Sequence, residues 1–322
     1  MNILVFGKDG QLGKAFQSIF EVNKLSELHH IDYAGRTQCD LSDEHALTAF
    51  LKQVKPNLII NAAAYTAVDQ AETEVELTYA INAKAPAIMA RYALEEGATL
   101  VHYSTDYVFD GSKATPYLES DTCNPLGIYG KSKAAGEVAI EDAFKHHPDT
   151  DAQFAILRTS WVYGDGGNFI RTIMRLAKER ESLKVTVNQY GVPTSALWLA
   201  NISLTLLLDE NHKLRSFPSG IYHAIPQGET TWYALACYVV QVAIDAGVAL
   251  KLRPDQIMPI PASEYPLPAP RPMNSRMARS SLDTLMNQIL KGNDVTKLQL
   301  WQQPWQESVA YYVQDPVLHK GI

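Results

Sequence analysis

Up to about residue 160 the sequence alternates short β-rich runs with amphipathic segments of helical length, and few architectures accommodate that rhythm. A helix between two strands returns the chain to the starting edge, so the pattern predicts a parallel sheet covered by helices. Strands are expected near residues 2–6, 28–33, 57–62, 98–104 and 153–159. The loops that follow them open at the carboxyl edge of such a sheet, where ligands of doubly wound folds bind.

The first of these loops is the most informative. Gly7-Lys8-Asp9-Gly10-Gln11-Leu12-Gly13 follows the first strand directly and leads into a helix. A dinucleotide pyrophosphate requires a tight turn, close approach of backbone and helix amides facing the anion, and this segment supplies all three. Gly7, Gly10, Gln11, Leu12 and Gly13 are therefore the expected phosphate contacts. The fold class read from this is α/β, a Rossmann-like doubly wound parallel sheet with a smaller C-terminal substrate-binding lobe. Residues 1–160 form the expected NAD(P)-binding domain, with later segments returning to it, and residues 161–322 form mainly the substrate lobe.

After the second strand, Asp32 is placed to accept hydrogen bonds from a ribose 2′-hydroxyl, whereas Arg36 would neutralise a 2′-phosphate. The two pull toward NADH and NADPH respectively, and the cofactor expected is either one, with NADPH somewhat preferred. Asp40 and Leu41 fit adenine contacts, and Ala62, Ala63 and Ala64 allow a flat ligand to approach the backbone.

Tyr129-Gly130-Lys131-Ser132-Lys133 carries the chemistry. Residues four apart share a helix face, so the Lys133 ammonium is expected near the Tyr129 hydroxyl, where a cation favours phenolate and lowers the tyrosine pKa. Upstream, Ser104-Thr105-Asp106-Tyr107 ends an apolar strand and places the Thr105 hydroxyl to polarise a substrate carbonyl. Glycine turn, Thr105, Tyr129 and Lys133 in this order predict a tyrosine-based hydride-transfer site.

Other chemistries lose their footing. A formal net charge of −7 gives no basic face for nucleic acid or anionic membrane. Cys39, Cys123 and Cys237 are too few and too widely spaced for a disulfide framework or a zinc site. The nine histidines show no H-E-x-x-H motif, and His29-His30, read within a strand, and His146-His147, read in a helix-terminal loop, are assigned no chemistry. No nucleophile elbow or P-loop is present. The chain enters its first strand without a basic leader and contains no long apolar run, so a cytoplasmic protein is expected.

Beyond residue 160, helices are expected at 168–180, 195–209 and 230–246. Seven of the 17 prolines fall between Pro254 and Pro272. Such density excludes helix and central strand, and a stiff loop over a site is favoured over a polyproline recognition segment.

The G-x-x-G-x-x-G spacing resembles that of the short-chain dehydrogenase/reductase superfamily, and the whole chain is similar to one family within it, dTDP-4-dehydrorhamnose reductase. The resemblance is carried by Phe6 to Gly13, NAAAYTAVDQAE at 61–72, HYSTDYVF at 102–109, Tyr129 to Glu137, RTSWVY at 158–163, Gly191 to Thr194, Thr230 to Tyr233 and Arg271 to Arg276. It implies reduction at C4 of a nucleotide-linked keto-sugar, with a hydride from the nicotinamide and a proton from Tyr129. It further implies that Thr105 holds the carbonyl oxygen and that Lys133 also holds the nicotinamide ribose. Val68, Tyr107 and Trp161 fall at substrate-pocket positions, and Arg271 and Asn274 belong to the lobe that closes on the substrate. The product implied is dTDP-L-rhamnose, destined for lipopolysaccharide O-antigen.

Two other readings share the fold. One is a nucleotide-sugar epimerase or 4,6-dehydratase, but related dehydratases carry acidic residues at both positions after the threonine, and here Asp106 is followed by Tyr107. The other is a non-catalytic subunit like the regulatory subunit of methionine adenosyltransferase, against which Thr105, Tyr129 and Lys133 argue.

Some members of the family pair through magnesium held by glutamates of both subunits. Here Ala15 and Leu197 stand at those positions, and neither side chain offers a ligand oxygen. No magnesium at that site is therefore expected, and a monomer is favoured over a metal-free homodimer.

Overall fold

In the computed structural model, which describes residues 1–147, 150–290 and 295–315, five parallel strands follow the alternation. They are β1 (Asn2–Phe6), β2 (His30–Ala34), β3 (Leu58–Asn61), β4 (Thr99–Thr105) and β5 (Gln153–Thr159). A sixth strand, Gly220–His223, pairs parallel with β5. The order across the sheet is Gly220–His223, β5, β4, β3, β1, β2. The chain leaves β1 toward β2 on one side and β3 on the other, so the topology reverses between β1 and β3 and a crevice opens there.

Six helices fill the connections among these strands: α1 (Gln11–Val22), α2 (Glu44–Val54), the short α3 (Val68–Ala71) and α4 (Val75–Tyr79), α5 (Ala85–Glu96) and α6 (Ile128–Lys145). Alternate strand residues face opposite layers. Ile3, Val5, Leu58, Ile60, Val101 and Leu157 pack with Phe16 and Ile19 of α1 and with Leu199 and Ile202 of the helix Ala196–Leu207. Leu4, Phe6, Ile59, Leu100 and Ile156 pack on the other face with Leu47 of α2, Met89 of α5 and Ile140 of α6. Each such side chain contributes about 1.5–3 kcal/mol on full burial. A further core gathers Ile173 and Met174 from Phe169–Glu179, Val239 and Val240 from Trp232–Asp245, and Val309 from Trp305–Gln314.

Three expectations need correction. β2 runs from His30 to Ala34 rather than 28–33, so His29 precedes it, and Asp32, read as following the strand, lies inside it, paired in register with Leu4. The strand Gly220–His223 was not expected, because four residues that open on glycine and close on histidine carry little β signal. The proline-rich segment is not loop throughout: Ile257–Ile260 pairs parallel with Leu183–Thr186. Pro259 is tolerated there because a two-stranded sheet consists of edges, where a missing amide donor leaves no ladder bond unmade.

Candidate active site

The glycine turn closes on the backbone after β3. Gly7 has φ 82°, and a Cβ on it would lie 2.7 Å from the backbone of Ala62. Only glycine fits, by conformation and by space. Gly10 caps α1 with no side-chain hydrogen bond, which leaves first-turn amides available to an anion. A cavity of about 450 Å³ beside this turn is lined by Gly7, Arg36, Asp40, Leu41, Ala63 and Ala64, among others. A second, also about 450 Å³, is lined by Gly7, Gly10, Gln11, Leu12 and Ala62 to Ala64 together with Thr105, Tyr129, Lys133 and Trp161. The two share Gly7, Ala63, Ala64 and Thr66, so they form one trough along the crevice.

Arg36 and Asp32 are not equivalent in this trough. Arg36 lines it, exposed and 3.8 Å from Asp40. Asp32 does not, because its position within β2 puts its carboxylate 3.2 Å from His30. Asp40 is held below the usual carboxylate range by hydrogen bonds from the Ser42 backbone and hydroxyl.

At the inner end, β4 delivers Thr105 and the first two turns of α6 deliver Tyr129 and Lys133. The Glu72 carboxylate accepts the Ile128 N–H at 2.8 Å and so anchors the start of α6. Thr105 is buried, and its Oγ1 donates to Asp106 Oδ1 at 2.9 Å and accepts the Tyr107 N–H at 3.2 Å. Desolvation pushes Tyr129 up to about 12, partly relieved by its hydrogen bond with Thr105. Burial lowers Lys133 to about 8. The expected lowering of the tyrosine pKa by an adjacent ammonium is thus not what the geometry gives. Lys133 Nζ bonds the Tyr103 carbonyl at 2.5 Å and His102 Nε2 at 3.0 Å, and desolvation governs Tyr129.

Trp161 lines the same cavity with φ 47°, a left-handed conformation that is costly for a bulky residue. Two contacts hold it. Its ring stacks on Trp232 at 3.6 Å and 13°, and its other neighbour is Gly191, where a Cβ would lie 2.5 Å from the indole. Tyr107 meets Tyr129 edge to face at 5.7 Å. Val68, Tyr107, Arg271 and Asn274 are not among the residues lining the trough. Val68 opens α3. Arg271 pairs with Asp69 of α3 at 2.9 Å, and Asp69 also accepts the Ala269 N–H, so this pair fastens the proline-rich segment beside the trough. The Asn274 amide is fully engaged: it donates to the carbonyls of Lys113 and Thr115 and accepts from Arg276.

Sequence reading missed several residues here. Asn82 sits in a π-helical turn, Ala80–Lys84, and ties the Tyr65 backbone to Ser132 of α6. Such a turn has no clear sequence signature. Asp106 is buried and pushed up to about 6 by that burial, and its Oδ2 has no hydrogen-bond partner among the described residues. His102 and Asn61 sit behind Lys133. Both belong to the quoted stretches, but the lysine contact joins β4 to α6 and leaves no mark in local spacing.

The chain matches the family model described as RmlD substrate binding domain over residues 1–312. It is 43% identical over 281 residues to dTDP-4-dehydrorhamnose reductase of Salmonella typhimurium, covering 86% of this chain and 89% of that one. The chain belongs to the dTDP-4-dehydrorhamnose reductase family. It is accordingly an oxidoreductase with a Rossmann-like NAD(P)-binding fold. A solved structure of a family member from Clostridium acetobutylicum superposes with a TM-score of 0.80 at 32% identity, covering 97% of this chain and 98% of that one. The Bacillus anthracis reductase, solved in complex with NADP, gives 0.79 at 29% identity with the same coverage.

Ala15 and Leu197 line one groove with Lys14 and Asp165, which pair at 2.8 Å. Among the described residues no group of three or more His, Cys, Asp or Glu side chains is arranged to hold a metal, and no helix is long and apolar enough to cross a membrane.

Proposed function

We propose that this protein reduces the C4 keto group of dTDP-4-dehydro-L-rhamnose to give dTDP-L-rhamnose, with Tyr129 as proton donor. The observation that supports it best is the convergence of Thr105, Tyr129 and Lys133 on the trough that starts at the glycine turn. NADPH or NADH supplies the hydride when bound. Gly7, Gly10, Gln11, Leu12, Gly13 and Ala62 to Ala64 would hold it, with Arg36, Asp40 and Leu41 at the adenosine end. Thr105, its hydroxyl hydrogen turned from Asp106 Oδ1 toward the substrate, holds the carbonyl oxygen. As that oxygen gains charge, the O–H bond of Tyr129 breaks and its proton goes to the oxygen, leaving a phenolate, while Lys133, one turn along α6, would hold the nicotinamide ribose. The raised pKa keeps Tyr129 protonated at neutral pH, the form an acid needs.

In the same reading Trp161 stacks on the sugar, Val68 and Tyr107 border it, and Arg271 and Asn274 order the segment that covers it. Residues beyond 161 supply most of that lobe. The three free thiols fit a reducing cytoplasm. With Ala15 and Leu197 offering no ligand oxygen, activity is independent of magnesium and the protein is a monomer.

The test is NAD(P)H oxidation by the purified protein with dTDP-4-dehydro-L-rhamnose. Stoichiometric consumption is expected. An epimerase or dehydratase would turn over with no net consumption, and a non-catalytic subunit would show no turnover; either result overturns the reading.

A further inference from the structure

Lys133 is buried, and the side chain that meets its Nζ is His102, itself 1% exposed. Behind His102 lies Asn61, whose Nδ2 is 3.0 Å from His102 Nδ1 and whose Oδ1 accepts the Ala63 N–H at 3.3 Å. The donor and acceptor bookkeeping of this chain is restrictive. With Oδ1 committed to Ala63, the amide group of Asn61 must donate to Nδ1, so a neutral ring carries its hydrogen on Nε2. An Nε2–H facing Nζ needs a lone pair there, which an amine has and an ammonium lacks. In the other arrangement an ammonium donates to Nε2 and Nδ1–H donates to Asn61. That requires the amide to turn over and give up Ala63. The charge of Lys133, the tautomer of His102 and the orientation of Asn61 are therefore one linked choice, and Ala63 lines the trough.

We propose that His102 and Asn61 are positioning residues that set the charge state of Lys133 and couple it to the backbone of the cofactor loop at Ala63. The proposal rests on the reading of Lys133 as the partner of Tyr129 in carbonyl reduction. Burial supports it: desolvation and the lysine both lower His102, well below the ordinary imidazole value, so the ring stays neutral and its tautomer is the variable. Among the described residues, Glu137 on α6 raises Lys133, and Tyr129 and Asp106 line the same cavity as the lysine. Arg158 is taken by Glu137, with Nη2 to Oε2 at 2.7 Å. A neutral imidazole is thus the ionisable group that touches Nζ. On a strand face where its neighbour Leu100 packs into the apolar core, an apolar residue at 102 would serve packing alone at least as well.

The test uses the full-length protein with NADPH and the keto-sugar. His102→Leu is expected to lower kcat by about tenfold or more, the scale seen when a group orienting a functional ligand is removed, with little change in KM. His102→Gln, whose amide can turn its oxygen to an ammonium, should restore most of kcat and move the alkaline fall in kcat to higher pH. Independently of turnover, ring ¹⁵N NMR of histidine-labelled protein, with His102 assigned by its loss in His102→Gln, should show a neutral ring whose hydrogen moves from Nδ1 to Nε2 as Lys133 loses its proton through about pH 8. Adding NADPH should move that signal. An imidazole that titrates near its ordinary value of about 6.5, a tautomer that stays the same on both sides of the Lys133 titration, or wild-type kcat and pH profile in His102→Leu would overturn the proposal. Failure of the wild type to oxidise NADPH would instead sink the reaction assigned above, and the ring signals would still decide this proposal.

Discussion

Lys133 and Glu137 lie one turn apart on α6, both almost fully buried, and the structure treats their charges in opposite ways. Glu137 receives the Arg158 guanidinium through two hydrogen bonds, Nε to Oε1 at 3.0 Å and Nη2 to Oε2 at 2.7 Å. Its charge is matched in place, which is how a buried carboxylate is kept without function. Lys133 has an imidazole and a carbonyl instead, and its pKa falls to about 8. A buried charge without a counter-charge is costly to keep, so its protonation can change near working pH. That makes Lys133, rather than Glu137, the candidate for chemistry.

The largest effect expected at this end of the helix comes from the residue that Lys133 supports. Tyr129→Phe should lower kcat by about 10²-fold or more while cofactor binding, followed by fluorescence titration, is retained. Near-normal turnover would remove the tyrosine from the reaction.

Next in size is the contrast between the two buried charges. Arg158→Met leaves the Glu137 carboxylate buried and unpaired and should cost about 3–5 kcal/mol of stability, read as a lower denaturant midpoint. Lys133→Met should abolish most activity with no such loss. If both variants melt alike, the distinction between a matched and an unmatched charge has no energetic content here.

The pH dependence sharpens the same contrast. A lysine lowered from 10.5 to about 8 is an ammonium below that value and an amine above it, so kcat should fall as pH rises through about 8. Stability moves the other way. Between about 8 and 10.5 the unfolded chain holds more protons at this site than the folded one, so this group's contribution to stability increases with pH. Lys133→Met should flatten both trends, and a kcat independent of pH across that window would refute the assignment.

The legibility of these features in the sequence follows their locality. β1, β3, β4 and β5 and the helices at 169–179, 196–207 and 232–245 are continuous periodic runs, so they could be placed within a few residues. The glycine turn and the Tyr129–Lys133 spacing are local constraints and were equally readable. What failed was non-local. Asp32 was read as following β2, but the strand runs on to Ala34 and keeps Asp32 inside it, beside His30. The sign of the Tyr129 shift depends on burial, which the Thr105 hydrogen bond offsets only in part and the Asp106 charge reinforces, and spacing does not encode these. His102 gains its meaning only when β4 lies under α6. Glu137 and Lys133 also blur the helix pattern itself, because the face they occupy is buried yet charged.

Arg36 completes the series as a charge that is neither buried nor matched, and its effect should be the smallest. Its side chain is 71% exposed and its nearest acid, Asp40, is 3.8 Å away, so it forms no strong bond to lose. It nevertheless borders the adenosine end of the trough, which Asp32 does not. Arg36→Ala should therefore raise KM for NADPH by about fivefold, the scale of an exposed ion pair, and leave KM for NADH nearly unchanged. Because solvent screens such a charge, the difference should shrink as salt is added. Asp32→Asn should alter neither KM, since its carboxylate faces His30 instead. Equal effects of Arg36→Ala on both cofactors would show that the arginine does not meet a 2′-phosphate. A large rise in KM for NADH on changing Asp32 would show that β2 shifts when the cofactor binds.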